Sequence, residues 1–280
     1  MSTVQMDVLA LPTNKSARRG STISEEKLLP SPVILAIQIG IFVALVALWE
    51  IGAQIGFIDV LFWSQPSSIA ASMVTYFTAG SAWSDMGFTF EATIIGFVLG
   101  TLLGAVIGLS FWWSRNYAAV AETYIVVFNA IPKVALAPLL ILVFGLGLES
   151  KVALAVMLIS VITALSTISG VRSIDPDLEK LMYSLGANRW AVFKKVVVPA
   201  TMPWIISSLR VTIGFALAGV ITAEFISSRY GLGRTILYAS NTYDMALVWD
   251  AIILLSVLAG VLYAAVVRLE KFLMRGIAHQ

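Results

Sequence analysis

Polar and apolar positions fall in long blocks along this chain rather than in short alternations. Residues 1–30 are polar, rich in Ser, Thr, Lys and Arg, and end at Pro30 and Pro32. From Val33 to about Phe57 the chain is almost unbroken apolar sequence. A secretory signal has a shorter apolar region of about 7–15 residues and a small-residue cleavage site, so this block is expected to be a retained first membrane span. Five further blocks follow: Gly87–Trp113, Tyr117–Gly147, Lys151–Gly170, Thr201–Phe225 and Met245–Val267. Each approaches or exceeds the roughly 20 residues needed to cross a bilayer as a helix. The third is interrupted by Pro132, Lys133 and Pro138, which kink or break a helix. Leu61–Ala82 is expected to form a short interfacial helix.

Composition points the same way. Of 280 residues, 59% are apolar and 12% charged, against about 25% charged in a soluble domain. The expected class is therefore an all-α membrane protein with about six transmembrane helices. Net charge is +2, which gives no support to nucleic-acid binding. There is no cysteine, and the one histidine is His279. Disulfides, thiolate metal sites, histidine relays and Ser/His/Asp catalysis are all excluded or improbable, and no metal site or catalytic residue is expected.

Basic residues set the orientation. With residues 1–30 in the cytoplasm, the inner segments carry thirteen Lys and Arg, and the outer ones carry only Lys151, Arg229 and Arg234. Both termini are thus expected inside. This divides the chain into a tail (1–30), a transmembrane domain (31–275) and a short C-terminal tail (276–280).

Within the spans, Gly96, Gly100, Gly104 and Gly108 recur every four residues, so they share one stripe where another helix approaches closely. Static packing is favoured there over a sliding surface, and Gly214 with Ala218 reads the same way. Intramembrane charges each need a reason. Glu50, Glu91, Glu122 and Glu224 lie near the expected span ends, within reach of water, Glu91 and Glu122 in first turns that favour negative charge. Arg210 is expected to snorkel. Asn129, Pro132 and Lys133 sit together in the interrupted third span. Two readings stand side by side: the wall of an anion's route, or a structural kink with Lys133 snorkelling.

The segment from about Val171 to Pro199 is far longer than a connector needs. Asp175 can cap a helix opened by Pro176, with Asp177 and Glu179 in its first turn. Leu178, Leu181, Met182 and Leu185 fall on one face, and Gly186 supplies a left-handed terminator. Asn188 can cap a second helix carrying Trp190, Phe193 and Val197, ended by Pro199. Such a unit is shaped either for docking a soluble partner or for lying on lipid headgroups.

The stretch Tyr183-Ser-Leu-Gly-Ala-Asn-Arg-Trp-Ala-Val-Phe-Lys-Lys-Val-Val-Val-Pro199 resembles the cytoplasmic coupling motif of binding-protein-dependent ABC importer permeases. That motif reads Glu-Ala-Ala, three residues, Gly, nine residues, Ile, one residue, Leu-Pro. Gly186 and Pro199 keep its spacing, and Val196 and Val198 replace the Ile and Leu. The opening departs, because Lys180, Leu181 and Met182 replace the triplet and Glu179 stands one place early. Asn129-Ala-Ile-Pro-Lys-Val-Ala-Leu-Ala-Pro-Leu-Leu-Ile-Leu-Val-Phe-Gly-Leu-Gly147 resembles the third-span signature of the nitrate, sulfonate and taurine subgroup. Val220–Glu224 with Gly231-Leu-Gly233 is similar to the same group.

The resemblance implies a type I ABC importer permease fold in a bacterial inner membrane, with a coupling helix between spans four and five. It implies two cytoplasmic ATPase subunits, a second permease copy and an extracytoplasmic binding protein as partners. This chain has no Gly-Lys-Ser/Thr phosphate loop, so ATP and Mg would be held by the separate ATPase, and the chain itself needs no cofactor. Leu181, Met182, Ser184, Leu185, Gly186, Ala187, Asn188, Trp190 and Pro199 are the expected ATPase-coupling positions. Asn129, Pro132, Lys133 and Glu224 are the expected translocation-path positions, and Lys133 suggests a small anionic solute such as a sulfonate, taurine or nitrate. The alternative is an ion-coupled transporter or channel without an ATPase. It calls for an inverted repeat or clustered mid-membrane acids, and the sequence offers neither.

Overall fold

The computed structural model describes residues 30–277, and all regular structure among them is helical. The expected N-terminal tail up to residue 29 lies outside the described residues, as do the last three positions. The first helix, α1, runs Ser31–Gln54 and is long and apolar enough to cross a membrane. Its residues up to Leu48 belong to a separate unit, and Trp49 onward forms one compact body.

In that body two short helices, α2 (Val60–Trp63) and α3 (Pro66–Thr78), replace the single interfacial helix expected. The chain then turns at Gly80, whose φ of +81° is a left-handed conformation that glycine adopts without strain. Four long helices follow: α4 (Ser81–Ser110), α7 (Leu148–Arg172), α10 (Val198–Ile226) and α12 (Met245–Ile277). At about 1.5 Å per residue each exceeds the roughly 30 Å hydrocarbon layer. Because α4 starts six residues earlier than its apolar block, Glu91 lies in mid-helix rather than in a first turn.

The third apolar block is broken. α5 (Arg115–Ala130) stops at Ile131, a 3-10 turn covers Lys133–Leu136, and α6 (Ala137–Phe144) leaves at 79° to α5. Ile131 precedes a proline and is pushed out of the helical region, with ψ at 130°. Pro132 has no N–H to continue the ladder. Pro138 is tolerated because it sits in the first turn of α6. Glu122 lies in the middle of α5, not its first turn, and pairs with Arg172 at 2.5 Å.

The glycine stripe packs against α7. A Cβ on Gly96 would stand 2.5 Å from Ala155 Cβ, and one on Gly100 would stand 2.8 Å from Ile159 Cβ. Real side chains do not approach so closely, so these positions admit only glycine at this helix separation. Thr163 and Thr167 oppose Gly104 and Gly108 in the same way. Among the described residues no helix packs in this way on Gly214 and Ala218, contrary to expectation. Both are exposed, and nothing lies within 4 Å of a Cβ on Gly214. The apolar core joins α4 and α7 to one face of α10 (Ile206, Leu209, Ile213, Leu217) and to a stripe on α12 (Leu254, Leu258, Leu262, Val266).

Candidate functional site

Two groups of residues stand out, at opposite ends of the long helices. The first is the segment after α7. Asp175 caps α8 (Pro176–Ser184) by accepting from Asp177 N–H at 2.9 Å, with Pro176 in the first turn. The helix ends as the glycine pattern predicts. Gly186 has φ +79°, its N–H donates to Tyr183 C=O, and Ala187 N–H donates to Met182 C=O, both at 3.0 Å. This pair of bonds around a left-handed residue satisfies carbonyls that the helix end leaves open. Asn188 then accepts from Ala191 N–H at 2.8 Å and starts α9 (Arg189–Val192).

Pro199 does not end this second helix. A π turn at Phe193–Val197 leads straight into α10, so Arg189–Ile226 is one continuous helical run. In a regular helix the proline ring would collide with the carbonyl four residues back. The wider π turn relieves that clash.

The expected apolar face of α8 is divided. Met182 is half-buried together with Glu179, while Leu178, Leu181 and Leu185 are 50%, 56% and 74% exposed. Those three recur at i, i+3 and i+7 and form an outward apolar edge next to the Gly186 turn. Ser184, Asn188, Trp190 and Pro199 are also exposed, and Ala187 is half-buried. Facing inward, Glu179 Oε1 accepts from Trp112 Nε1–H at 2.9 Å. The Arg189 guanidinium donates to Trp113 C=O. Trp112 gave no signal in the sequence, because its partner lies 67 positions away.

The second group surrounds Gly231-Leu-Gly233, which opens α11 (Leu232–Asn241). Glu224 was expected within reach of water, but it is 1% exposed. It accepts from Thr89 Oγ1–H at 2.9 Å and from Gly233 N–H at 2.8 Å. Thr89 Oγ1 in turn accepts from Leu232 N–H at 3.0 Å. Asp85, also buried, accepts from Gly231 N–H (2.9 Å), Thr235 Oγ1–H (2.8 Å) and the Tyr76 phenol (2.7 Å). Burial pushes the Tyr76 phenol well above its ordinary range, so it stays a neutral donor.

Two acids and three consecutive backbone N–H groups thus bind the loop before α11 onto α4 and α10. Gly231 is required there twice over: its φ is +115°, and a Cβ would meet the Glu224 carboxylate. No spacing in the sequence pointed to the bonds between Glu224 and the Gly-Leu-Gly seven residues later, which stood there only as parts of one resemblance. Asp85, Thr89, Tyr76 and Thr235 were not legible, since no local pattern links them.

Lys151, counted above with the outer charges, is fully buried in the first turn of α7. Its ammonium donates to Leu146 C=O at 2.8 Å, Ser227 C=O at 2.6 Å and Ser150 Oγ at 3.3 Å. Arg210 does not snorkel freely but pairs with Glu270 of α12.

Of the four expected path positions, the structure brings Asn129, Pro132 and Lys133 together at the break after α5 and leaves Glu224 apart in the buried network. Asn129 and Pro132 are exposed. Lys133 is 8% exposed, donates to Asn129 C=O at 3.1 Å and lies 5.8 Å from the Phe128 ring centroid. A lysine so placed satisfies a carbonyl at the helix end and complements its dipole.

The arrangement is that of a multi-helix membrane body, and the comparisons agree with that. The chain is 30% identical, over 83% of its length and 92% of the relative's, to a formylaminopyrimidine transport permease of Halalkalibacterium halodurans. It is 29% identical, over 82% and 86%, to a riboflavin transport permease of Chloroflexus aurantiacus. It is 24% identical, over 85% and 88%, to the taurine transport permease of Escherichia coli. Its fold matches a crystal structure of an amino acid ABC transporter with a TM-score of 0.57, at 20% identity, covering 73% of this chain and 97% of that one. The family model for the inner-membrane component of binding-protein-dependent transport systems matches residues 100–276, and the chain therefore belongs to that family, as the permease component of an ABC importer.

Proposed function

We propose that the segment from Ser173 to Pro199 seats on a cytoplasmic ATPase and that the broken third span borders the path of a small organic solute. The observation that carries the docking reading is the outward apolar edge of α8, Leu178, Leu181 and Leu185, presented beside the rigid turn at Gly186. An apolar edge beside Asp177 and Lys180, which pair with each other, is left without a partner among the described residues. Exposed contiguous apolar surface at a helix face is a mark of an interaction site. With this loop inside the cell, both termini are inside as well, as the thirteen inner basic residues require. A second permease copy completes the path, because the body leaves Asn129 and Pro132 open at its surface.

The solute is small, and of the two kinds left open by the sequence, an anion or a pyrimidine-type cofactor precursor, the first reading is an anion of the sulfonate, taurine or nitrate type, carried by Lys133 and by the likeness to the taurine permease. A second reading has its own support. The Lys133 ammonium is already engaged by Asn129 C=O, and the formylaminopyrimidine and riboflavin permeases are more similar to this chain. An uncharged or weakly charged heteroaromatic solute fits those observations. Thermal-shift screening of the cognate binding protein against taurine, alkanesulfonates, nitrate, aminopyrimidines and riboflavin separates the two. Stabilisation by the anions alone supports the first reading, and stabilisation by the ring compounds alone replaces it.

A further inference from the structure

We propose that the Trp112-Trp113 turn between α4 and α5 is the receiving half of the coupling machinery, a clamp that passes displacement of α8 directly into α4. The inference rests on reading the Ser173–Pro199 segment as the ATPase-docking element. It adds a route for the motion that the chain connectivity does not supply, since α8 is covalently joined only to α7 and to α9.

The clamp grips the loop on both sides of Gly186. On the near side, Glu179 of α8 accepts from the Trp112 indole N–H at 2.9 Å, with both groups half-buried. On the far side, Arg189 donates to Trp113 C=O, and its guanidinium lies 5.4 and 5.1 Å from the Trp112 and Trp113 ring centroids. Trp190 stacks on Trp113 with centroids 6.0 Å apart, and Phe193 of the π turn stacks on Trp190 at 5.4 Å. Phe193 also lies 5.6 and 5.3 Å from the two tryptophans of the turn. Six side chains from four elements thus form one block, and a charge-assisted bond with cation–π and stacked contacts is much stiffer than a solvated loop contact.

The block is rigid toward the membrane body as well. The turn continues α4: Trp112 N–H donates to Leu109 C=O and Trp113 N–H to Ser110 C=O. Ser110 Oγ lies 3.0 Å from the Tyr117 hydroxyl, which fixes the turn to the start of α5. From there α4 is zipped to α7 by the glycine stripe, which leaves no slack along its length. Glu179 stands one place ahead of the acid in the usual coupling motif. On α8 that shift places it with Met182 on the inward side, whereas Leu178, Leu181 and Leu185 face out. The outward edge is free for a partner, and the inward acid is committed to this chain's own tryptophan.

The test uses the permease co-purified with its ATPase in nanodiscs. The chain has no cysteine, so a single Asn116→Cys on exposed α5 reports motion of the turn by its maleimide reaction rate, with and without ATP and vanadate. The nucleotide is expected to change that rate by about threefold or more in the parent chain. Glu179→Ala and Trp112→Phe, each removing one partner of the bond, are expected to retain the ATPase but lose the response. Glu179→Gln keeps an acceptor oxygen and is expected to restore it. Without the ATPase, amide exchange across α8 should rise roughly tenfold in the Ala and Phe variants, as befits loss of a hydrogen bond to a charged group. An undiminished response in Glu179→Ala, or a Gln variant as defective as Ala, overturns the clamp. A parent chain that holds no ATPase overturns the docking reading itself and the clamp with it.

Discussion

Gly186 offers a test in which conformation and contact can be separated. Its φ of +79° lies in the left-handed region, and nothing stands within 4 Å of a Cβ built there. Inside this chain a side chain therefore costs no clash, only backbone strain. For an ordinary residue that strain is about 1–2 kcal/mol, and for a β-branched one it is nearer 2–3 kcal/mol. Asn tolerates the left-handed region and is the common substitute for Gly at this helix-end position. At about 1.4 kcal/mol per tenfold, Gly186→Ala should reduce the population of the native turn roughly tenfold and Gly186→Val roughly thirtyfold or more. Gly186→Asn should stay within a few-fold of the parent.

The membrane body does not depend on this turn, so all three variants should express and melt alike. The assay is mild-detergent pull-down of the tagged permease with its ATPase, followed by ATP hydrolysis by the complex. The expected order of coupled activity is Gly, then Asn, Ala and Val. If Val equals the parent, the left-handed turn plays no part in docking and the reasoning fails. If Asn is as poor as Val at equal expression, side-chain volume decides, and the close approach of a partner rather than φ is the reason for glycine.

Other outcomes follow from the body of the protein. Gly100→Val puts a side chain 2.8 Å from Ile159 Cβ and 3.2 Å from Val156 Cα. The latter is backbone that cannot retreat, so a loss of about 3 kcal/mol or more is expected. Gly260→Ala, with nothing within 4 Å, should be within about 1 kcal/mol of the parent. Fluorescence-detected size exclusion after heating ranks the pair, and equal melting would refute the packing argument. Lys151→Met strands the carbonyls of Leu146 and Ser227 in the interior and should cost about 3 kcal/mol by the same measurement. Asp85→Ala releases three buried donors, Tyr76, Thr235 and Gly231 N–H, and should speed amide exchange at Leu232 and Gly233 at least tenfold. Arg172→Ala removes a pair whose side chains are 57% and 44% exposed, so a change below about 1 kcal/mol is expected.

Local rules carried a large part of this protein. The apolar blocks gave the long helices because lipid leaves the backbone no partner but itself. Asp175, Pro176, Gly186 and Asn188 each did what their side chains or missing side chains dictate within four residues of themselves, and Pro132 broke the third span for the same local reason. The four-residue glycine repeat announced a close helix contact before any partner helix was known. These features are encoded by spacing along the chain, so the sequence determined them.

What the tertiary structure decided are pairings between distant positions. Glu224 near a span end reads as solvated, but α4 and the Gly231-Leu-Gly233 loop close over it. Gly214 reads as packed like Gly100, yet no helix among the described residues meets it. Pro199 reads as a helix stop, and a π turn carries the helix past it. Glu179 reads as a misplaced acid until Trp112, 67 residues earlier, is beside it. Burial and hydrogen-bond partners depend on which elements fold against each other, and a linear pattern holds that information only for neighbours on the same helix.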